Sequence, residues 1–97
     1  MKEKIKDKIT NEIIMKYYKL SSKALIEVKK NIVKGREKDA FEIIKMVEAY
    51  LSDSKHFEDK GDLINAFGAI YYAHGWIDSG VRLGIFDVKD DKMFTIK

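Results

Sequence analysis

The stretch KGDLINAFGAIYYAHGWIDSG, residues 60–80, decides the fold that the sequence predicts. Gly61 can take the left-handed backbone conformation that ends a helix. The carboxylate of Asp62 can accept a backbone N–H two or three residues further on, which caps the start of the next helix. Two helices joined by only one or two residues must form an antiparallel hairpin. The stretch therefore predicts a helical hairpin that turns at Gly61 and Asp62.

Apolar side chains recur at helical spacing along most of the chain. The stripe after the turn predicts a helix over about residues 62–79, ended by Gly80 and Gly84, and the stripe before it predicts a helix over about residues 37–60. A third, N-terminal stripe predicts a first helix over about residues 4–34. Three amphipathic helices joined by short loops predict an all-α fold, an antiparallel three-helix bundle.

The predicted first helix ends near Gly35 and is longer than the third helix by roughly ten residues, or about 15 Å. Its overhang carries Ile5 and Ile9, which would fray in solution or pack on another chain. Residues 85–97 change period and predict a short extended tail, held on the bundle by Phe86 and Phe94. A chain of 97 residues, 45% apolar, can fill one core, so we expect a single domain over residues 1–97.

Composition excludes several kinds of site. The chain has no cysteine, which excludes disulfides, thiolate catalysis and zinc–thiolate centres. The longest nearly uncharged stretch, Leu63–Ile77, is too short to cross a bilayer. The N-terminal segment alternates Lys with Ile and acidic residues and has no apolar core of a signal peptide. We therefore expect a cytoplasmic protein without a membrane partner.

Charge is distributed unevenly along the chain. Residues 1–38 contain twelve Lys and Arg against five Asp and Glu, a net charge of +7, and residues 39–97 carry a net charge of −4. The basic helix that results presents Lys16, Lys19, Lys23 and Lys30. It is typical of proteins that bind nucleic acid or an anionic surface, and equally of a solvated helix face. Lysine also lacks the guanidinium group with which arginine binds phosphate in a bidentate manner.

Two glycines inside the third helix, Gly68 and Gly75, each destabilise it by about 1 kcal/mol relative to alanine. They share one helix face with Tyr72, Trp76 and Ser79. One explanation is close packing against the first or second helix. The other is a groove or a dimer seam, since Tyr72 and Trp76 are residue types that anchor interfaces.

A polar cluster is predicted around His74, with Asp78 one helical turn further on. Such a pair can hold a proton or contribute to a metal site, and Glu48 on the second helix lies at a similar level in the hairpin. A single histidine that faces a core is more often structural. The sequence contains no nucleophile–base pair and no phosphate, zinc or calcium motif, so it predicts no catalytic residues, no metal site and no cofactor.

Residues 53–86 resemble a known family. The features that carry this likeness are Asp53, Phe57, KGD at 60–62, AFGAI at 66–70, YAHGW at 72–76, Asp78, Gly80 and RLG at 82–84. They resemble an archaeal family known only as domain of unknown function 357, and the likeness extends over residues 10–86. The family implies a helical bundle of the kind grouped with albumin-binding three-helix domains. It implies no activity and assigns no catalytic residues.

The sequence does not identify what the protein binds. It favours a non-catalytic module that pairs with itself or with a protein partner through the face of Gly68 and Trp76. The alternative is a nucleic-acid-associated protein that uses the Lys-rich first helix. The third interpretation is a small-ligand-binding protein or an enzyme centred on His74.

Overall fold

The computed structural model describes residues 7–89 and contains three α-helices. They are α1 (Asn11–Lys29), α2 (Glu37–Asp59) and α3 (Leu63–Arg82). Helices α2 and α3 form the most extensive pair, and α1 packs mainly on α3. Residues 7–89 contain no β-strand, only one isolated antiparallel bridge, between Ile32 and Phe86. The predicted all-α three-helix bundle is therefore confirmed.

The turn between α2 and α3 follows the local signals in the sequence. Gly61 has a φ of 79°, in the left-handed region, and its N–H donates to the Glu58 carbonyl at 2.9 Å. Asp62 Oδ1 accepts the backbone N–H of Asn65 at 3.2 Å and so caps α3. The helical hairpin predicted from these two residues is confirmed.

The predicted extent of the first helix, residues 4–34, is wrong at its C-terminal end. Helix α1 ends at Lys29 because the segment after it pairs with the tail: the Val33 N–H donates to the Ile85 carbonyl, and the Asp87 N–H donates to the Asn31 carbonyl. These backbone groups cannot also make helical bonds.

At its N-terminal end α1 begins after Thr10, whose hydroxyl accepts the Ile13 N–H at 3.2 Å. With 19 residues α1 is no longer than α3, which has 20, so the expected overhang does not exist in the described part of the chain. Ile9 packs against a small core cluster, and Ile5 lies outside the described residues.

Gly80 does not end α3 as predicted. It lies inside the helix and is buried, and the chain leaves the helix at Leu83 and Gly84, the latter with a φ of 77°. A Cβ atom on Gly80 would lie 2.5 Å from Cε2 of Phe86. Glycine at this position makes room for the Phe86 ring, which holds the start of the tail on the bundle, as expected. The second expected anchor, Phe94, lies outside the described residues.

The core consists of two clusters. The larger joins all three helices with Ile85 and Phe86, and the smaller surrounds Ile14 and Ile70 at the other end. Ser54, buried in α2, donates its hydroxyl to the Ala66 carbonyl on α3 at 2.9 Å. None of the helices described between residues 7 and 89 is long and apolar enough to cross a membrane.

Candidate interaction face

One side of α3 points away from the core and carries no charge from Ile64 to Ser79, before Arg82 in the last turn. We call it the outer face of α3 and define it by seven exposed residues: Ile64, Asn65, Gly68, Tyr71, Tyr72, Gly75 and Ser79. Ile64 is 75% exposed, and Tyr71 and Tyr72 are 55% and 52% exposed. Because 36% of the chain is charged, an exposed helix face without any charge stands apart from the rest of the surface.

The surroundings of Gly68 and Gly75 decide between the two explanations for these glycines. Both are exposed, and a Cβ atom built on either would meet no atom of the described structure within 4 Å. Neither α1 nor α2 packs closely against them. Close packing within the chain is therefore wrong as an explanation, and a groove or a dimer seam remains as a prediction.

A groove of about 440 Å³ runs between α2 and α3, beside the outer face. Its lining consists of Tyr50, Asp53, Phe57, Asn65, Gly68, Ala69 and Tyr72. The Tyr72 ring packs edge-on against Tyr50, with ring centroids 4.5 Å apart, and against Trp76 at 6.3 Å. Trp76 is half-buried. These neighbours hold the Tyr72 ring in place, which lowers the entropy lost when a partner contacts it.

The other border of the outer face is also aromatic. The Tyr71 ring contacts Phe67, with centroids 4.7 Å apart, and Tyr17 of α1 at 5.8 Å. The outer face is thus bordered by ordered rings that rest on α1 on one side and on α2 on the other.

The polar cluster predicted around His74 has different members in the structure. His74 Nε2 lies 3.8 Å from Asp78 Oδ1, and Ser21 Oγ on α1 lies 2.9 Å from His74 Nδ1. Glu48 is not part of the cluster, because it bonds to Lys29 Nζ at 2.8 Å. Across residues 7–89, no group of three His, Cys, Asp or Glu residues is placed to hold a metal ion.

Ser21 was missed by the sequence reasoning. The available signal was a serine four residues before Leu25 on the apolar stripe of α1. The Ser21 hydroxyl and His74 Nδ1 share a hydrogen bond, and the His74 tautomer decides which of the two donates. The hydroxyl of Ser21, the imidazole of His74 and the carboxylate of Asp78 follow one another as in the catalytic triads of hydrolases. Ser21, however, is only 2% exposed. A substrate cannot reach that hydroxyl, so the set ties α1 to α3.

The four lysines predicted for the basic helix are all exposed on one side of the molecule. Lys16, Lys19 and Lys23 lie on α1, and Lys30 caps its end. Lys16 Nζ lies 5.5 Å from the Tyr17 ring, and no carboxylate of the described residues pairs with any of the four. They extend over 14 residues, or about 21 Å of helix.

Comparison with known proteins agrees with the resemblance seen in the sequence. Residues 16–86 match the model of a family described as a protein of unknown function, DUF357. No curated protein and no solved structure matches the chain. Since the family match extends over nearly three quarters of the 97 residues and includes all of α2 and α3, the chain belongs to the DUF357 family.

Proposed function

We propose that this protein is a non-catalytic interaction module that binds another protein chain through the outer face of α3. The observation that supports this proposal is an uncharged, partly aromatic helix face that is exposed on a highly charged protein. Contiguous apolar surface of this kind is unfavourable in water and marks interaction sites. The interaction face predicted from Gly68, Tyr72, Gly75, Trp76 and Ser79 overlaps it, with Trp76 as a half-buried support of Tyr72.

Covering this face would contribute a favourable free energy of apolar burial. Ile64, Tyr71 and Tyr72 each leave at least half of their surface in water. Burying on the order of 100 Å² of each side chain at about 25 cal/mol/Å² contributes roughly 7 kcal/mol in total before association costs. The two glycines let a partner backbone approach the helix without displacing a side chain.

Affinity capture from a lysate of the source organism tests this proposal. The wild-type bait is compared with Gly75→Glu, which places a charge in the middle of the outer face. Ser52→Glu adds the same charge at an exposed position of α2 that does not line the groove. We expect the wild-type and Ser52→Glu baits to retain a partner protein, also after nuclease treatment of the lysate. The Gly75→Glu bait should not retain it. Equal capture by all three baits would contradict the proposal.

A second candidate function is nucleic-acid binding by α1, because its four exposed lysines lack carboxylate partners among the described residues. Four lysine–phosphate contacts predict that log K falls against log salt with a slope of about −3.6 on duplex DNA. Replacement of Lys16, Lys19, Lys23 and Lys30 by Gln should abolish the binding, whereas Gly75→Glu should leave it unchanged. Absence of binding at low salt excludes this candidate.

The proposal places the interaction in the cytoplasm. Fractionation of source cells tests this location. Recovery of the protein in the membrane or secreted fraction would contradict it.

A further inference from the structure

We infer that the chain that covers the outer face of α3 is a second copy of this protein, with the two α3 helices antiparallel about a two-fold axis. This inference rests on the proposed function and names the partner for the same face.

Charge favours this arrangement of two identical chains. Each copy carries a net charge of +3, and residues 1–38, which include α1, carry +7, so two copies that meet through this basic part of the chain repel each other. Arg82 is the one exposed charged residue of α3, and an antiparallel pair places the two copies of Arg82 at opposite ends of the interface. In an antiparallel pair the C-terminal end of α3, with Arg82, lies beside the N-terminal end of the partner's α3, with Asp62. The charges at the two ends are therefore complementary, and the helix dipoles oppose each other.

The shape of the face is self-complementary when the two helices overlap over nearly their full length. Such an overlap places Tyr72 opposite the partner's Gly75. It also places Gly68 opposite the partner's Ser79, so that the backbones approach closely where both residues are small. The two-fold axis repeats each contact, so Tyr72 of each copy lies opposite Gly75 of the other.

The same overlap accounts for another exposed apolar residue. Leu83, at the end of α3, is 66% exposed. In the pair, the partner's Leu83 lies at the level of Ile64, at the end of the groove that Phe57, Asn65 and Gly68 line. The two most exposed aliphatic side chains of this region thereby cover each other and close the groove.

The area available sets the expected strength. Helix α3 is about 30 Å long, and together with the edge of α2 it offers a strip about 20 Å wide, or about 600 Å² per copy. A total of about 1,200 Å² lies at the lower end of specific interfaces. We therefore expect a dimer with a dissociation constant on the order of 10 µM.

Sedimentation velocity between about 1 and 300 µM tests the inference. Wild type and Ser52→Glu should change from monomer to dimer across this range. Gly75→Glu should raise the dissociation constant at least 100-fold, because it buries two unpaired carboxylates in the dimer. Its monomer should stay folded by circular dichroism, since the new side chain meets no atom of the described structure within 4 Å at Cβ.

Disulfide crosslinking tests the arrangement itself, and the chain has no native cysteine to interfere. A mixture of the Tyr72→Cys and Gly75→Cys variants should form a mixed disulfide on oxidation, because these positions face each other. The control mixture of Gly68→Cys and Gly75→Cys should not, since four residues displace the two positions by about 6 Å along the helix and their Cα atoms lie beyond disulfide reach.

The outcomes separate this inference from the proposed function. A wild-type protein that stays monomeric to 300 µM overturns the second copy as partner. In that case, loss of the captured protein with Gly75→Glu would still support the proposed function. Equal capture by wild type and Gly75→Glu would contradict the proposed function as well. A dimer that Gly75→Glu leaves unchanged, or crosslinking in the control mixture alone, overturns the arrangement.

Discussion

Replacing Gly68 and Gly75 by alanine should stabilise the isolated monomer. A Cβ atom at either position meets no described atom within 4 Å, so no packing term opposes the change. What remains is helix propensity, which favours alanine over glycine by about 1 kcal/mol per site. The sites lie seven residues, or about 10 Å, apart, so their effects should add to about 2 kcal/mol. For 97 residues this corresponds to a rise in Tm of about 10 °C.

Thermal and urea unfolding followed by circular dichroism at about 2 µM measures this effect below the expected dimer dissociation constant. The same double variant should associate more weakly at high concentration, because two methyl groups per copy separate the backbones. A double variant less stable than wild type at low concentration would refute the reasoning, since it would mean that the glycines serve packing within the chain.

Three further substitutions test the fold, each by urea unfolding. Gly80→Ala should destabilise the protein by about 1–3 kcal/mol, because its Cβ would lie 2.5 Å from the Phe86 ring; an unchanged midpoint would show that the ring can move aside freely. Phe86→Ala should destabilise the protein by about 3–5 kcal/mol, since that ring is fully buried and holds the tail; a loss below 1 kcal/mol would mean that the tail contributes little. Ser21→Ala should cost about 1 kcal/mol, since it removes the hydroxyl bonded to His74, and a stabilised variant would contradict this role.

The helical hairpin could be predicted because its signals are local. Gly61 supplies the positive φ and Asp62 caps the next helix, so two adjacent residues specify the turn without help from the rest of the chain. Gly84 is also predicted to end the third helix and does so with a φ of 77°, but the end of α1 could not be predicted in the same way. Helix α1 ends where residues 31–33 pair with residues 85–87, which are more than fifty positions away in the chain. Neither segment contains a local sequence signal that predicts this pairing.

Gly80 shows how one residue type can serve two purposes. Near the end of an apolar stripe, glycine is typical of a helix stop, but here it lies inside α3 and receives the Phe86 ring. The choice depends on a side chain six residues further on whose position only the folded tail defines.

The sequence predicts which residues share the candidate face, but it does not predict whether another helix covers them. Helical spacing places Gly68, Tyr72 and Gly75 together, yet whether another helix covers them depends on how α3 is rotated against α1 and α2. The level of Glu48 along the hairpin predicts a place near His74, but the level alone does not specify the direction of a side chain, and Glu48 bonds to Lys29 of α1 instead.

The most direct test of the central claim, that the outer face of α3 binds a second copy of the chain, is a concentration series of ¹⁵N–¹H correlation spectra from about 10 µM to 1 mM. The account predicts that the amide signals of Gly68, Tyr72 and Gly75 shift or broaden with concentration, while those of Lys16 and Lys23 on α1 do not. Signals that change only along α1, or spectra that stay the same up to 1 mM, would contradict it.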